Sequence, residues 1–314
     1  MAMYHPEGVL WEDPRNMAVI RTARGLAEAA AEGRIAEARA VLCDSDHNLY
    51  VDMPAMPGII PYYEGAVGIE EGTTRDIALI SRVSKPVCFT VVGFEELPDG
   101  SRRAVLSRRE AQQRCLDDYI GRLATGDVIP ARVTRLESFG AFCDIGCGIP
   151  ALMPIASISV SRISHPGDRF APGMDIFGVV SSLEEGRICL SGRELLGTFA
   201  ENAARFAVGE TVAGTIRSVE SYGIFVELAP NLAGLAELKE GVFPGQQAAV
   251  YIKSIIPEKM KLKLIVIDAE TPEPPPRPAP PKYFITHGRV EHWRYSPEEC
   301  GKIVESAYAP VGAN

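Results

Sequence analysis

Residues 138–146 read SFGAFCDIG, and residues 221–229 read SYGIFVELA. Phe139, Gly140, Phe142 and Asp144 fall opposite Tyr222, Gly223, Phe225 and Glu227, each pair at the same separation along the chain. The match extends outward on both sides. GDVIPARVTRLESFGAFCDIG (126–146) runs in step with GETVAGTIRSVESYGIFVELA (209–229). Each copy opens on Gly-acid, alternates apolar and polar residues, turns at Gly140 or Gly223, and alternates again. Each then reaches a small apolar cluster, IPALMPI (149–155) or LAGLAEL (232–238). APGMDIFGVV and FPGQQAAVYI open the next strand, and GRICLSGRELL (186–196) and MKLKLIVID (260–268) supply the last.

A fainter copy precedes both. ARAVLCDSDHNLYVDMP (38–54) reads strand, turn, strand; PGIIPYYE, KPVCFTVVGFEE and RRAVLSRREA follow. Its Leu-Ser-Arg-Arg-Glu (106–110) anticipates Leu-Ser-Gly-Arg-Glu (190–194). Internal repetition of this kind, with about five short strands per unit and turn residues between them, predicts an all-β-dominated chain of three small barrels or sandwiches in tandem.

Alternate residues of a strand share a face. Ala141, Cys143 and Ile145 therefore form one face and Phe142 with Asp144 the other; Ile224, Val226 and Leu228 oppose Phe225 with Glu227; Leu49, Val51 and Met53 oppose Tyr50 with Asp52. The expectation is that ring and carboxylate both stand outside the core. A ring held toward water is a platform on which an unpaired base can stack. The glycine beside it permits a tight turn, which brings Phe139 or Tyr222 next to the strand aromatic. Two adjacent rings suit two successive unpaired bases, whereas a duplex keeps its bases stacked internally.

The chain of 314 residues carries a net charge of −9. Residues 126–195 hold six basic and eight acidic side chains, net −2, and residues 209–268 hold six and seven, net −1. Binding to nucleic acid by blanket positive charge is excluded; stacking has to carry more of it, with a shallow salt dependence. Seven cysteines at 43, 88, 115, 143, 147, 189 and 300 are odd in number and scattered, as reduced buried thiols are. Cys143 and Cys147 have no second Cys/His pair at zinc-site spacing, so no metal is expected. No apolar run is long enough to cross a bilayer, and the start MAMYHPEGVLWEDP lacks the layout of a secretory signal. A soluble cytoplasmic protein is expected, with no membrane partner, small-molecule substrate or cofactor. Motifs that would hold a nucleophile beside a base, or cradle a phosphate, are missing, so no catalytic residue is assigned.

Residues 13–40 look helical: Asp13 can cap, Pro14 takes the first position, and an Ala/Glu/Arg-rich run follows. TPEPPPRPAPP (271–281) is a polyproline spacer, and Ser296, Pro297 and Glu299 predict a short final helix. The predicted organisation is a helical segment (1–33), three β units (34–115, 122–200, 205–270), a Pro-rich linker (271–282) and a tail with a short helix (283–314). Three further segments carry candidate contacts. Arg162, His165 and Arg169 of SVSRISHPGDRF lie between third and fourth strands, either gripping phosphates or forming a solvated loop. Lys259, Lys261 and Lys263 share one strand face. HGRVEHWRY, with Trp293, either docks on a partner or folds back onto the third barrel.

The ordered set Gly-Asp/Glu-x-Val/Ile, Phe/Tyr-Gly-x-Phe and, in the second unit, Leu-Ser-x-Arg-Glu resembles the S1 RNA-binding domain, a five-stranded OB-fold barrel that binds single-stranded RNA. The resemblance is strong for 122–196 and 205–268; NLYVDM, GIIP and VLSRREA make 34–112 look like a degenerate first copy. What the resemblance implies is RNA contact by Phe139 and Phe142, by Tyr222 and Phe225, by Arg187 and by Lys261 at the start of the last strands. The family's third-strand histidine is replaced by Pro154 and Glu237, and an acidic residue by Leu183 and Pro257. His47 and Tyr50 take the aromatic places of the first unit, which suits docking. The family further implies messenger RNA and the small ribosomal subunit as partners. A protein-docking scaffold and an accessory RNA-binding subunit of an RNA-processing enzyme are the alternatives.

Overall fold

The computed structural model describes residues 4–184, 186–274 and 277–308, so Pro275 and Pro276 of the proline run, and 309–314 of the tail, lie outside the described residues. Three closed five-stranded barrels follow one another along the chain. The first is built from β1 (Ala36–Cys43), β2 (Leu49–Asp52), β3 (Gly58–Ile60), β4 (Pro86–Glu96) and β5 (Arg102–Ser107). The second uses β6 (Val128–Glu137), β7 (Gly140–Asp144), β8 (Pro150–Pro154), β9 (Asp175–Glu184) and β10 (Arg187–Ser191). The third uses β11 (Thr211–Glu220), β12 (Gly223–Ala229), β13 (Leu232–Ala236), β14 (Gln247–Ile256) and β15 (Lys261–Glu270). In each, the first three strands form an antiparallel meander and the fifth pairs parallel to the third. Closure leaves no free sheet edge for another chain to extend.

The alternation read from the repeats sets the cores. Leu49 and Val51, Ala141 and Cys143, and Ile224 and Val226 are all buried. The chain divides into two compact units: residues up to Leu123 together with Asp144–Pro150, and Ala124–Cys143 together with everything from Ala151 on.

In the first unit, the helical run expected over 13–40 is two helices followed by a strand. Asp13 accepts from the Arg15 amide to start Pro14–Ile20; Thr22 accepts from the Gly25 amide to start Ala23–Glu32. Gly33, at φ 60°, ends the second helix, because a left-handed turn there suits glycine. Leu26 and Ala29 pack with Val51, Phe89 and Leu106 in one core. Beside it lies a buried polar cluster. The Glu7 carboxylate accepts from Arg108 (Nε, 2.6 Å; Nη2, 3.1 Å), from Arg82 (2.9 Å) and from the Cys88 amide (3.1 Å).

In the second unit the tail folds onto the barrels. Val290, Trp293 and Tyr295 join the core of the third barrel, and the Tyr295 hydroxyl donates to the Asn231 carbonyl at 2.5 Å. The short final helix is replaced, among the described residues, by a two-stranded pairing of β16 (His292–Arg294) with β17 (Glu305–Ala307). Ser296 does not cap a helix: its hydroxyl accepts from the Val304 amide at 2.7 Å, which closes the loop between the two strands instead.

Candidate nucleic-acid interface

The two Phe/Tyr-Gly-x-Phe hairpins fold alike. Phe139 meets Phe142 at 6.0 Å between ring centres and 88° between planes; Tyr222 meets Phe225 at 6.0 Å and 88°. Phe139 is 54% exposed and Tyr222 67%, while Phe142 and Phe225 are half-buried at the base of each pair. The strand ring is fixed by its neighbours and the hairpin ring stands out from it edge-on, an arrangement aromatic pairs favour. The glycine between them is required by a close backbone approach. A Cβ on Gly140 would stand 2.5 Å from the Met153 carbonyl oxygen, and one on Gly223 would stand 2.6 Å from that of Ala236. Met153 and Ala236 are themselves matched positions of the two copies, so the same contact holds each hairpin against the third strand.

In the third barrel the rings open onto a groove of about 620 Å³. Tyr222, Phe225 and Leu235 give it an apolar floor; Lys253, Lys261 and Lys263 give it positive charge, and Glu237 contributes the one carboxylate among its lining residues. The ladder explains the gathering: Leu235 pairs with Phe225 on one side and with Lys263 on the other, so alternate side chains of three strands share a face. Lys259 sits in a short turn before β15 and not on the strand itself. In the second barrel Arg187 begins β10 and is exposed. An additional cation, not singled out in the sequence, lies over the strand aromatic: the Arg135 guanidinium is 4.9 Å from the centre of the Phe142 ring. Cross-strand pairing could have found it, since Ser218, its counterpart in the third barrel, pairs directly with Phe225.

The repeated carboxylates are not on the open surface. Asp144 and Glu227 are 3% and 7% exposed, contrary to the parity reading, because each is covered by other parts of its own unit. Asp144 accepts from the amides of Glu7 (2.7 Å), Gly146 (2.8 Å) and Gly148 (3.0 Å). Glu227 accepts from Arg217 through both oxygens (3.0 and 3.1 Å) and from Arg169. Asp52 alone of the three is exposed.

That pairing also decides where Arg169 stands. It is 6% exposed and bound to Glu227, so it lies in the seam between second and third barrels and is not an open phosphate grip. Arg162 and His165 are exposed; the His165 Nδ1 accepts from the Gly167 amide at 3.0 Å and caps its own turn. In the first barrel His47 is engaged by its surroundings, 3.8 Å from Asp76 and 5.7 Å from the Tyr62 ring centre. Tyr50 is half-buried beside Arg103, which is paired with Glu95. Trp293 is buried in the third barrel's core and is unavailable to a partner. The structure thus brings Tyr222, Phe225 and Lys261 into one groove and sets Arg169 and Trp293 apart from any open surface.

Among the described residues no three His, Cys, Asp or Glu side chains are grouped to hold a metal ion, and no helix is long and apolar enough to cross a membrane.

Residues 122–188 match the S1 RNA binding domain family. The small ribosomal subunit protein bS1 of Staphylococcus haemolyticus is 32% identical over 193 residues, covering 56% of this chain and 49% of that protein. The bS1 protein of Leuconostoc lactis is 34% identical over 143 residues, covering 45% of this chain and 33% of that protein. The chain thus spans about half the length of these relatives or less. A multidomain protein with nucleic acid binding domains from Streptococcus pneumoniae aligns over 74% of this chain and 73% of that chain at 12% identity, with a TM-score of 0.24, too low to carry weight. The repeated barrels and paired rings accompany these matches: residues 122–188 match the S1 RNA binding domain, and the chain is similar to the small ribosomal subunit protein bS1 of these bacteria.

Proposed function

We propose that the second and third barrels bind single-stranded RNA by seating unpaired bases on the ring pairs Phe139–Phe142 and Tyr222–Phe225. The observation that carries this reading is the third-barrel groove, where Tyr222 and Phe225 share one opening with Lys253, Lys261 and Lys263. Rings supply sequence-tolerant stacking and lysines track the backbone, the combination that suits a strand without a partner. Arg187 supplies the corresponding charge at the start of β10. Similarity to bS1 proteins supports messenger RNA as the strand, the small ribosomal subunit as the place of work, and hence the cytoplasm. The first barrel serves the fold and docking, since the side chains at its ring positions are engaged by its own surroundings. The chain works by binding and not by catalysis.

The test is equilibrium binding of a fluorescent, unstructured RNA to the chain carrying Phe142→Ala with Phe225→Ala. Losing a stacked base costs about 1–3 kcal/mol, so two lost seats weaken binding by about thirtyfold or more, while the melting temperature stays close to the parent's. Equal affinity in parent and double variant would refute the reading.

A further inference from the structure

The lysines of the third-barrel groove account for attraction to phosphate, but Glu237 does not. It follows directly on β13, and the ladder fixes its place. Phe225 pairs with Leu235 and Ile224 with Ala236, so the next position outward sets Glu237 opposite Gly223, and Glu237 lines one groove with Tyr222. Leu235 and Glu237 are both exposed on the same face, and both line the groove. No hydrogen bond or ion pair engages the Glu237 carboxylate among the described residues, although three lysines line the same opening. A free carboxylate there opposes the phosphate backbone. What it fits is the edge of a base.

We infer that Glu237, which lines one groove with Tyr222 and Phe225, makes the third barrel selective for guanine, an inference that rests on the RNA-binding reading above. Bases splayed on aromatic platforms are told apart by hydrogen bonds to their Watson–Crick edges. Guanine presents N1–H and the N2 amine side by side, two donors for the two oxygens of one carboxylate. Uracil presents a single N–H flanked by two carbonyls, which the carboxylate repels. Adenine and cytosine each offer one amine next to a ring acceptor. A two-point match of this kind discriminates more strongly than one bond, because a carboxylate is an acceptor only. The second barrel has Pro154 at the matching place, so its ring pair has no such reader and the preference belongs to the third barrel alone.

The experiment uses the full chain with Phe142→Ala, which removes the second barrel's seat, and measures anisotropy of labelled U-rich decamers. The decamers carry a central G, a central inosine (guanine without its N2 amine) or U throughout. The expected result is that the G decamer binds roughly tenfold tighter than the U decamer, with inosine between them. Adding Glu237→Ala abolishes the difference while leaving the U decamer bound at least as tightly, since a repelling charge is gone. The inference is overturned if G and U bind alike before Glu237 is changed. It is also overturned if Glu237→Ala tightens all three by one factor with the preference intact. Binding that is base-blind yet lost on Phe225→Ala refutes only the selectivity; failure of every decamer to bind the parent chain refutes the RNA reading as well.

Discussion

The Arg135 guanidinium lies over the Phe142 ring, 4.9 Å from its centre, whereas the matching residue of the third barrel is Ser218. A cation at an exposed ring gains about 0.5–1 kcal/mol from the ring's negative face. Arg135 also pairs with Glu137 at 3.0 Å, which holds it beside the ring. On the proposed reading, a base seated at this ring would bring its phosphate within reach of this guanidinium. Arg135→Ala should lower affinity for single-stranded RNA and reduce the slope of log K against log salt by about 0.7, the amount expected for one phosphate contact on a single strand. Titrations over a series of salt concentrations read this directly; an unchanged slope would mean that the arginine only covers the ring.

Glu227 holds two guanidiniums, Arg217 of its own barrel and Arg169 from the second. Asp168 takes the other side of Arg217 at 3.3 Å. Removing the shared carboxylate leaves the buried Arg169 guanidinium without its partner, while Arg217 keeps Asp168; stranding a buried charge costs about 3–5 kcal/mol in comparable settings. Glu227→Gln should therefore shift urea unfolding of the chain to clearly lower denaturant, and replacing Arg169 and Glu227 together by apolar residues should recover part of the loss. A Gln variant as stable as the parent would show that the pairing is not what secures the seam.

The first unit has a pH dependence of definite sign. Burial, reinforced by the negative charge of Glu7, pushes the Glu37 carboxyl from 4.5 up to about 8. Burial likewise raises Asp144. For Glu7, burial works upward too, but the Arg108 and Arg82 charges outweigh it and hold the carboxyl low. A raised carboxyl favours the fold below its unfolded value and loses that contribution as pH climbs through its folded value. Glu7 acts oppositely and is lost only in acid, below the window that matters here. Thermal stability of this unit should accordingly fall between about pH 5 and about 8, and Glu37→Gln, which keeps an oxygen for the Gly8 and Leu10 amides, should flatten the profile. Parallel profiles for parent and variant would assign the dependence elsewhere.

Much of this architecture is legible in the chain because the copies share one spacing. The constant offset that aligns Phe142 with Phe225 also aligns Met153 with Ala236, and period-two alternation separates Cys143 and Val226 from the rings. Parity fails at Asp144 and Glu227 for a physical reason. It separates the inside of a barrel from its outside, but it cannot see what packs on that outside, and distant segments do so here: Glu7 in one case, Arg169 in the other. The same blindness misplaces Arg169, since a basic residue in a loop looks free until its distant partner Glu227 is known. The final helix rests on a local capping pattern, and a longer-range bond from Val304 to Ser296 overrides it.

The seam at Glu227 bears on polymers more than on single nucleotides. The two proposed seats belong to one compact unit, so a strand long enough to occupy both gains from effective concentration without any new contact. Short oligomers that reach one seat miss that gain, and affinity should then rise in a step with strand length, the step marking the distance between the two footholds.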